Sequence, residues 1–169
     1  MALTITPGAP DANSYVSVAE AAGYFSLSYN RTAWSEAGNS DKEKSLAEAT
    51  RLLDLFVDWI GEIATDTQAL RWPRVGVVDM DGRIVSDLTV PQSIKNITCE
   101  LAYNILVNSG FDVSENTVDK LRVGPISVDF DVQQKSNGFT KLVRDAISHW
   151  GSLNMPSSSG VGTAKLVRT

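Results

Sequence analysis

The sequence contains one cysteine, Cys99, and one histidine, His149, and these two residue types often serve nucleophilic or acid–base catalysis. His149 lies near the end of a segment with helical apolar spacing, where a cation interacts favourably with the helix C-terminus. A Ser-His-Asp triad would need this histidine, but no serine lies within the glycine pattern of a nucleophile elbow. Cys99 is flanked by Ile97, Leu101 and Ala102, which indicates a buried core residue rather than a reactive thiol. We therefore expect no catalytic site, and predict that the chain is not an enzyme.

Metal and cofactor chemistry is supported no better. Asp79-Met80-Asp81-Gly82 resembles the start of a calcium loop, but the later ligands and the terminal glutamate are missing, so a turn is the simpler interpretation. Asp129 and Asp131 alternate with apolar residues, which is typical of the solvated face of a strand. One cysteine and one histidine cannot build a zinc site, and no Walker loop or GxGxxG motif is present. We expect no metal and no cofactor.

One short segment has the composition of a nucleic-acid contact. Arg71-Trp72-Pro73-Arg74 places an aromatic ring between cations, as a base-stacking platform requires. Trp72 could equally well fill the core beside the rigid turn that Pro73 produces, so both interpretations stay open. The formal net charge of -5 and the pI of about 4.8 disfavour general phosphate binding, because an acidic chain repels the nucleic-acid backbone.

The elements that would position these residues are mainly helical. The 169 residues, 43% of them hydrophobic, are enough for one domain with a core. Apolar residues at spacings of three and four, with capping boxes that begin at Ser17 and Ser40, indicate amphipathic helices. Pro91 and Thr140 are suited to the first turn and the N-cap of two further helices. The predicted helices cover about residues 17–27, 41–60, 91–108 and 140–151.

Two segments have the pattern of β structure. Residues 77–80 and 83–85 flank Asp81-Gly82, a two-residue turn that predicts a tight hairpin. From Leu121 to Val132 apolar and polar residues alternate, which predicts a strand with one apolar face and no obvious partner. The predicted fold class is therefore mainly α, a small helical bundle with a β-hairpin and an additional strand, and with extended N- and C-terminal arms. The predicted divisions are an arm over 1–14, a helical domain with the hairpin over 15–151, and a flexible tail over 152–169.

The predicted apolar surface exceeds what the core of one small bundle needs. An open apolar strand is a liability for a monomer, and pairing between neighbouring subunits would cover it. A second apolar stripe on the helix over 41–60 is a further candidate for contact with another subunit. The predicted subunit interface comprises Leu52, Leu55, Trp59, Leu106, Ile126, Val128 and Phe130. No apolar segment is long enough for a membrane span or a signal peptide, so we expect folding in the cytoplasm.

Several segments in order resemble one family of phage proteins. They are Asp11–Glu20 followed by Tyr24-Phe25, then Gln68–Arg74, Asp79–Gly82, Val90-Pro91 followed by Cys99–Ala102, and Val123–Val128. In this order and spacing they are similar to the head–tail connector (adaptor) proteins of tailed phages. Some members of that family carry the label of DnaT-like single-stranded DNA-binding proteins.

The resemblance implies a structural virion protein without catalytic residues. Such a subunit would form a homo-oligomeric ring, commonly a dodecamer, beneath the portal protein at the phage neck after assembly in the host cytoplasm. A tail-completion or stopper protein would bind below it, and DNA would pass through the lumen without sequence-specific binding. No membrane is implied. The DnaT-like label implies an alternative, a single-stranded DNA-binding replication accessory protein. Its candidate contacts would be Arg71, Trp72 and Arg74.

Overall fold

The computed structural model describes residues 2–111, 120–123, 126–129 and 138–154, with the backbone alone at 120–123 and 126–129. Within these residues the chain forms five helices and six short strands. The helices are α1 Val18–Ser26, α2 Thr32–Glu36, α3 Asn39–Phe56, α4 Gln92–Asn108 and α5 Lys141–Ile147. The strands are β1 Val57–Trp59, β2 Glu62–Ile63, β3 Arg74–Val75, β4 Lys120–Val123, β5 Ile126–Asp129 and β6 Gly151–Leu153. They pair antiparallel as β1–β6, β2–β3 and β4–β5.

The packing of α3 against α4 forms the centre of the core. Leu46, Ala49 and Leu53 lie on one face of α3 and are fully buried, which confirms the main apolar stripe predicted there. Ile94 and Leu101 of α4 are buried as completely. Each such aliphatic side chain contributes about 1.5–3 kcal/mol of transfer free energy, so this helix pair is the main source of stability.

The predicted mainly helical fold class is wrong. The described residues form a mixed fold, in which five helices are combined with three antiparallel strand pairs. The clearest case is α3, which ends at Phe56 rather than near Ile60. The next three residues form β1, which pairs with β6 in the register Val57↔Leu153. β-branched and aromatic residues fit a pleated strand better than the last turn of a helix. Residues 151–153, predicted to belong to the helix end and the free tail, are therefore a strand.

Helix caps were predicted with mixed success. Ser17 Oγ accepts from the N–H of Glu20 at 3.1 Å, and the Glu20 carboxylate accepts from the N–H of Ser17 at 2.9 Å, so the first capping box is confirmed. The second is wrong, because α3 begins at Asn39 after Gly38 and has no side-chain cap. Thr140 caps α5 as predicted. α2, which lies inside a segment predicted to be a loop, was missed.

The long strand predicted over Leu121–Val132 is also wrong. β4 and β5 pair with each other in the register Lys120↔Asp129 to Val123↔Ile126, so the chain reverses direction between them. The apolar strand therefore has a partner in its own chain. Residues 130–137, including the predicted interface residue Phe130, lie outside the described residues.

Residues 77–85 form the predicted hairpin, but a different turn closes it. The N–H of Val85 donates to the carbonyl of Val77 at 2.9 Å, and the N–H of Gly82 donates to the carbonyl of Asp79 at 3.0 Å. Gly82 has a φ of +77°, the left-handed conformation that favours glycine. The tight turn is thus the four residues Asp79–Gly82 rather than Asp81-Gly82 alone.

The predicted N-terminal arm is packed against the folded body. The N–H of Asn13 donates to the carbonyl of Thr4, and the N–H of Thr4 donates to the Asn13 side chain, both at 2.9 Å. Farther along, the N–H of Ala69 donates to the carbonyl of Ala9 at 3.1 Å. Residues 2–14 therefore do not form a free arm. Residues 155–169 of the predicted tail lie outside the described residues.

Candidate nucleic-acid interface

The tryptophan of the predicted stacking segment lies in the core. Trp72 is 1% exposed, and its ring makes edge contacts with Trp59 and Trp150, each at a centroid distance of 5.8 Å. A base cannot stack on a ring whose faces and edges are covered by protein. The core-filling interpretation of Trp72 is therefore the one that the structure supports, and Trp72 is not available as a DNA contact.

Arg74 is buried as well, and it holds a loop together. Its guanidinium donates to the carbonyls of Ile60 at 2.7 Å, Arg71 at 3.1 Å and Gly61 at 2.5 Å, with a longer contact to that of Trp59 at 3.4 Å. Burial lowers the pKa of Arg74 from its ordinary value. Of the three predicted nucleic-acid contacts, Arg71 alone is exposed.

Asp54 joins two of the segments that carried the family resemblance. The hydroxyl of Tyr15 donates to one oxygen of this carboxylate, and the N–H of Arg71 donates to the other at 3.0 Å. Burial raises the pKa of the Asp54 carboxyl and that of the Tyr15 hydroxyl. The segments 11–20 and 68–74 thus meet at one buried carboxyl group, which gives them a structural role.

Aromatic rings and cations also lie near one another around the segment between α1 and α3. The ring of Tyr29 is 97% exposed, in a segment that sequence analysis treated as a loop with one aromatic anchor, Trp34. The guanidinium of Arg31 lies 4.5 Å from the centre of the Tyr103 ring and donates to the Glu100 carboxylate at 2.8 Å. We call this surface the Tyr29 corner, defined by Tyr29, Arg31, Tyr103 and Lys42, whose Nζ lies 5.6 Å from the buried Trp34 ring.

Many basic side chains on the described surface, Arg31 of the Tyr29 corner among them, are paired with carboxylates. Six basic side chains of the described residues form ion pairs: Arg31–Glu100, Lys44–Asp41, Arg51–Glu48, Arg83–Asp81, Lys95–Glu20 and Lys141–Asp145. Exposed pairs contribute little stability, but each reduces the positive potential that a phosphate would meet. In the part of the chain that the structure describes, no continuous basic stripe accompanies the Tyr29 corner.

The predicted interface residues separate into buried and exposed positions. Leu52 and Trp59 are covered by the chain's own core, which corrects the expectation of a spare apolar stripe on α3. Leu55 is 60% exposed, and Leu106 is half-buried against the core. Ile126 and Val128 lie in β5, where their backbone register is described. Of the α3 set, Leu55 alone is therefore accessible to a second subunit.

Exposed apolar side chains are concentrated in a segment that was not singled out for its apolar character. Val78 and Ile84 lie opposite each other in an antiparallel bridge, and Ile84 is 85% exposed. Met80 and Leu88 are about as exposed, whereas the neighbouring Val77 is fully buried. We call Val78, Met80, Ile84 and Leu88 the apolar hairpin segment. Alternation within this hairpin places one apolar set inward and leaves another in solvent.

Of the remaining candidates for chemistry, Cys99 lies in the core as predicted, whereas His149 lies beyond α5, which ends at Ile147. Cys99 is buried, and burial raises the pKa of its thiol to about 12, so it stays protonated at neutral pH. His149 is half-buried with its ring 5.0 Å from that of Trp150. Among the described residues no group of three metal-ligating side chains converges, and no helix has the length and apolar character needed to cross a bilayer.

The described residues form a small mixed α and β fold in which the segments 11–20 and 68–74 meet at Asp54. The family model described as "Putative DnaT-like ssDNA binding protein" matches residues 1–169, and the chain belongs to that family. Comparisons with curated proteins and with solved structures found no match. Of the two descriptions in the resemblance, the DnaT-like one is confirmed, and the comparisons do not support the head–tail connector assignment.

Proposed function

We propose that this protein binds single-stranded DNA and that the Tyr29 corner is its contact surface. The family match supports the type of ligand. One observation supports this location. The Tyr29 ring is 97% exposed, and two residues later in the sequence the guanidinium of Arg31 lies over the Tyr103 ring. Single-stranded DNA presents unpaired bases that stack on such rings without regard to sequence.

The charge distribution limits how strongly this surface can hold phosphates. Arg31 is shared with Glu100, and Lys42 lies beside Trp34. Two cations correspond to a log–log salt slope of about -1 to -2, since each phosphate contact on a single strand contributes about -0.7. We therefore expect weak, stacking-dominated binding that salt reduces only moderately.

Replacing Tyr29 with alanine tests the location directly. Loss of one stacked base weakens single-strand binding by about 1–3 kcal/mol, which is roughly 5-fold to 150-fold in Kd. Fluorescence anisotropy of a labelled oligothymidylate, titrated at several salt concentrations, measures this change. Tyr29→Phe keeps the aromatic face and should bind like the unaltered protein.

Two matched variants serve as controls for that experiment. Leu27→Ala removes an apolar side chain that is also exposed beside α1, but it removes no aromatic face. Arg71→Ala removes the one exposed residue of the stacking segment that sequence analysis proposed. Both should leave Kd within about twofold. An unchanged Kd for Tyr29→Ala would refute the proposed surface, and no measurable binding by the unaltered chain would refute the proposed function.

The apolar hairpin segment supports a second candidate function. In this function the chain would be a subunit of a head–tail connector ring that docks under a phage portal. Single exposed apolar residues are common on monomers, but four within eleven residues indicate a surface that another molecule covers. A neighbouring copy in a ring would do so, and the portal and a tail-completion protein would contact the ring above and below. DNA would then pass through the lumen.

The oligomeric state separates the two functions. For a ring subunit we expect a large homo-oligomer in light scattering and a shift to monomer in Ile84→Asp, because a buried unpaired carboxylate disrupts an apolar interface. Ile84 is exposed, so the substitution should leave the fold intact. A monomer at all concentrations, with no assembly on added portal rings, would exclude the connector function while leaving DNA binding unaffected.

A further inference from the structure

A groove lies between the 77–85 hairpin, α4 and α5, and its lining residue Glu100 connects it to Arg31 of the Tyr29 corner. Its volume is about 390 Å³, within the range of sites that hold small molecules or peptide side chains. Its described apolar lining includes Ile97 and Val143, which are buried, together with Trp150. Met80 and Leu142 also line it, and they are 75% and 59% exposed. We call it the Trp150 groove.

The polar lining of the groove is acidic. Asp79, Asp81 and Glu100 contribute carboxylates, and no basic residue is among the described residues that line it. Glu100 is engaged by Arg31 and by the hydroxyl of Tyr24, at 2.8 Å in each case. Asp79 accepts two backbone N–H groups with one oxygen. The aspartates therefore remain as the charge that a ligand would meet, with Arg83 only loosely paired to Asp81 at 3.5 Å.

A ligand that matches this apolar and acidic lining would have apolar side chains next to cations. The chain contains such a sequence at Lys165-Leu166-Val167-Arg168, within residues 155–169. Trp150 lines the groove only four residues before Asn154, which is the last described residue. The eleven residues from there to Lys165 can span at most about 35–40 Å, so the segment can reach the groove of its own chain with slack to spare.

We propose that Lys165–Arg168 binds the Trp150 groove of its own chain, with Leu166 and Val167 against the apolar lining and the two cations beside Asp79 and Asp81. This goes beyond DNA binding, because it assigns the chain an internal ligand. The tether raises the effective concentration of the segment to about the millimolar range, so weak contacts are enough for occupancy. A basic and apolar segment of another protein would have to displace it.

Paramagnetic labelling of the full chain tests the proposal. Thr163→Cys introduces a thiol near the segment, and a nitroxide reagent should spare Cys99, which is buried with a raised thiol pKa. Amide and indole signals are then compared with the label oxidised and reduced. We expect loss of the Trp150 indole and Leu142 amide signals while the label is oxidised, and their return when it is reduced.

Charge exchange tests the recognition chemistry. Asp81→Lys should restore the Trp150 signal, because it replaces attraction with repulsion, and adding Lys165→Glu should bring the signal loss back. Leu142→Asp should abolish the loss as well, whereas Leu27→Asp, at an apolar site that is even more exposed, should not. Signal loss that disappears on dilution would mean that a second copy supplies the segment. That result, or no loss at the groove, would overturn the proposal.

Discussion

Replacing Arg74 with alanine is expected to reduce the free energy of unfolding by about 3–5 kcal/mol, among the largest effects of any single substitution in this chain. The guanidinium is 7% exposed and donates to carbonyls at both ends of the loop over residues 59–74. Truncation would leave those carbonyls buried without donors, and each orphaned group costs about 1–3 kcal/mol.

The effect should depend on the shape of the guanidinium as well as on its charge. Arg74→Lys keeps the cation but offers one donor centre, so it cannot reach the carbonyls of Ile60, Gly61 and Arg71 together. We expect it to recover only part of the lost stability. Arg74→Met keeps most of the volume and no donor, and it should resemble alanine if the hydrogen bonds dominate.

Chemical denaturation followed by tryptophan fluorescence measures these differences. Trp59, Trp72 and Trp150 are in mutual edge contact near Arg74, so the signal reports on this region. Arg71→Ala is the control, because that side chain is exposed three residues away and its removal should change stability by no more than about 0.5 kcal/mol. A loss below about 1 kcal/mol for Arg74→Ala would show that water replaces the guanidinium.

Arg74 also illustrates what could not be predicted from sequence. Arg74 was a candidate nucleic-acid contact because it is a cation near the Trp72 ring in sequence, and ionised side chains are rarely buried. Its burial depends on carbonyls that the loop over residues 59–61 turns towards it. These partners lie 13 to 15 residues away in sequence, and no local pattern specifies that their carbonyls converge.

Helices were predicted best where local signals agreed. Ser17 and Glu20 form the expected capping box, and Thr140 caps α5, because these bonds join residues three positions apart. The end of α3 was misplaced because its apolar stripe continues through Val57. What ends the helix is pairing with β6, a strand more than 90 residues later in the sequence. Tertiary pairing thus overrides a periodicity that locally favours helix.

The β4–β5 hairpin was missed although its signal is visible in the sequence. Leu121 and Val123 are apolar at odd positions, whereas Ile126 and Val128 are apolar at even positions. The apolar phase changes across Gly124-Pro125, a dipeptide typical of turns. In the observed register, Val123 pairs with Ile126, so alternation places all four on one face of the hairpin. A phase change should therefore be taken as a turn rather than as one long strand.

The candidate DNA surface could be predicted only in part. Tyr29-Asn30-Arg31 and Arg71-Trp72-Pro73-Arg74 both combine rings with cations, and composition does not distinguish them. The distinction arises from packing, which buries Trp72 and leaves Tyr29 in solvent. Composition drew attention to the buried segment over residues 68–74, which instead meets residues 11–20 at Asp54 and stabilises the fold.

Alanine at Gly61 is expected to destabilise the protein about as strongly as loss of Arg74. Gly61 has a φ of +74°, and a Cβ built there would lie 2.4 Å from the carbonyl oxygen of Val75 and 2.6 Å from a methyl of Val77. The left-handed conformation costs a non-glycine residue about 1–2 kcal/mol. Overpacking against backbone adds about 1–3 kcal/mol, because a carbonyl cannot rotate away as a side chain can.

Gly76 offers a matched control for Gly61. Its φ is +76°, but no atom lies within 4 Å of the Cβ position, so Gly76→Ala pays the conformational cost alone. The difference in unfolding free energy between the two variants therefore measures the steric contact between residue 61 and β3. Equal losses would mean that β2 and β3 move apart freely, which would contradict a tightly held loop.

Combining the two substitutions shows whether Gly61 and Arg74 hold the same structure. The Gly61 carbonyl accepts from Arg74, and the methyl of Gly61→Ala would push that loop away from β3. Once the loop has shifted, the Arg74 hydrogen bonds are already weakened. The double variant should therefore lose less than the sum of the single losses, by about 1 kcal/mol or more, whereas Gly76→Ala with Arg74→Ala should be closer to additive. Strict additivity for the Gly61 pair would mean that the two residues stabilise the loop independently.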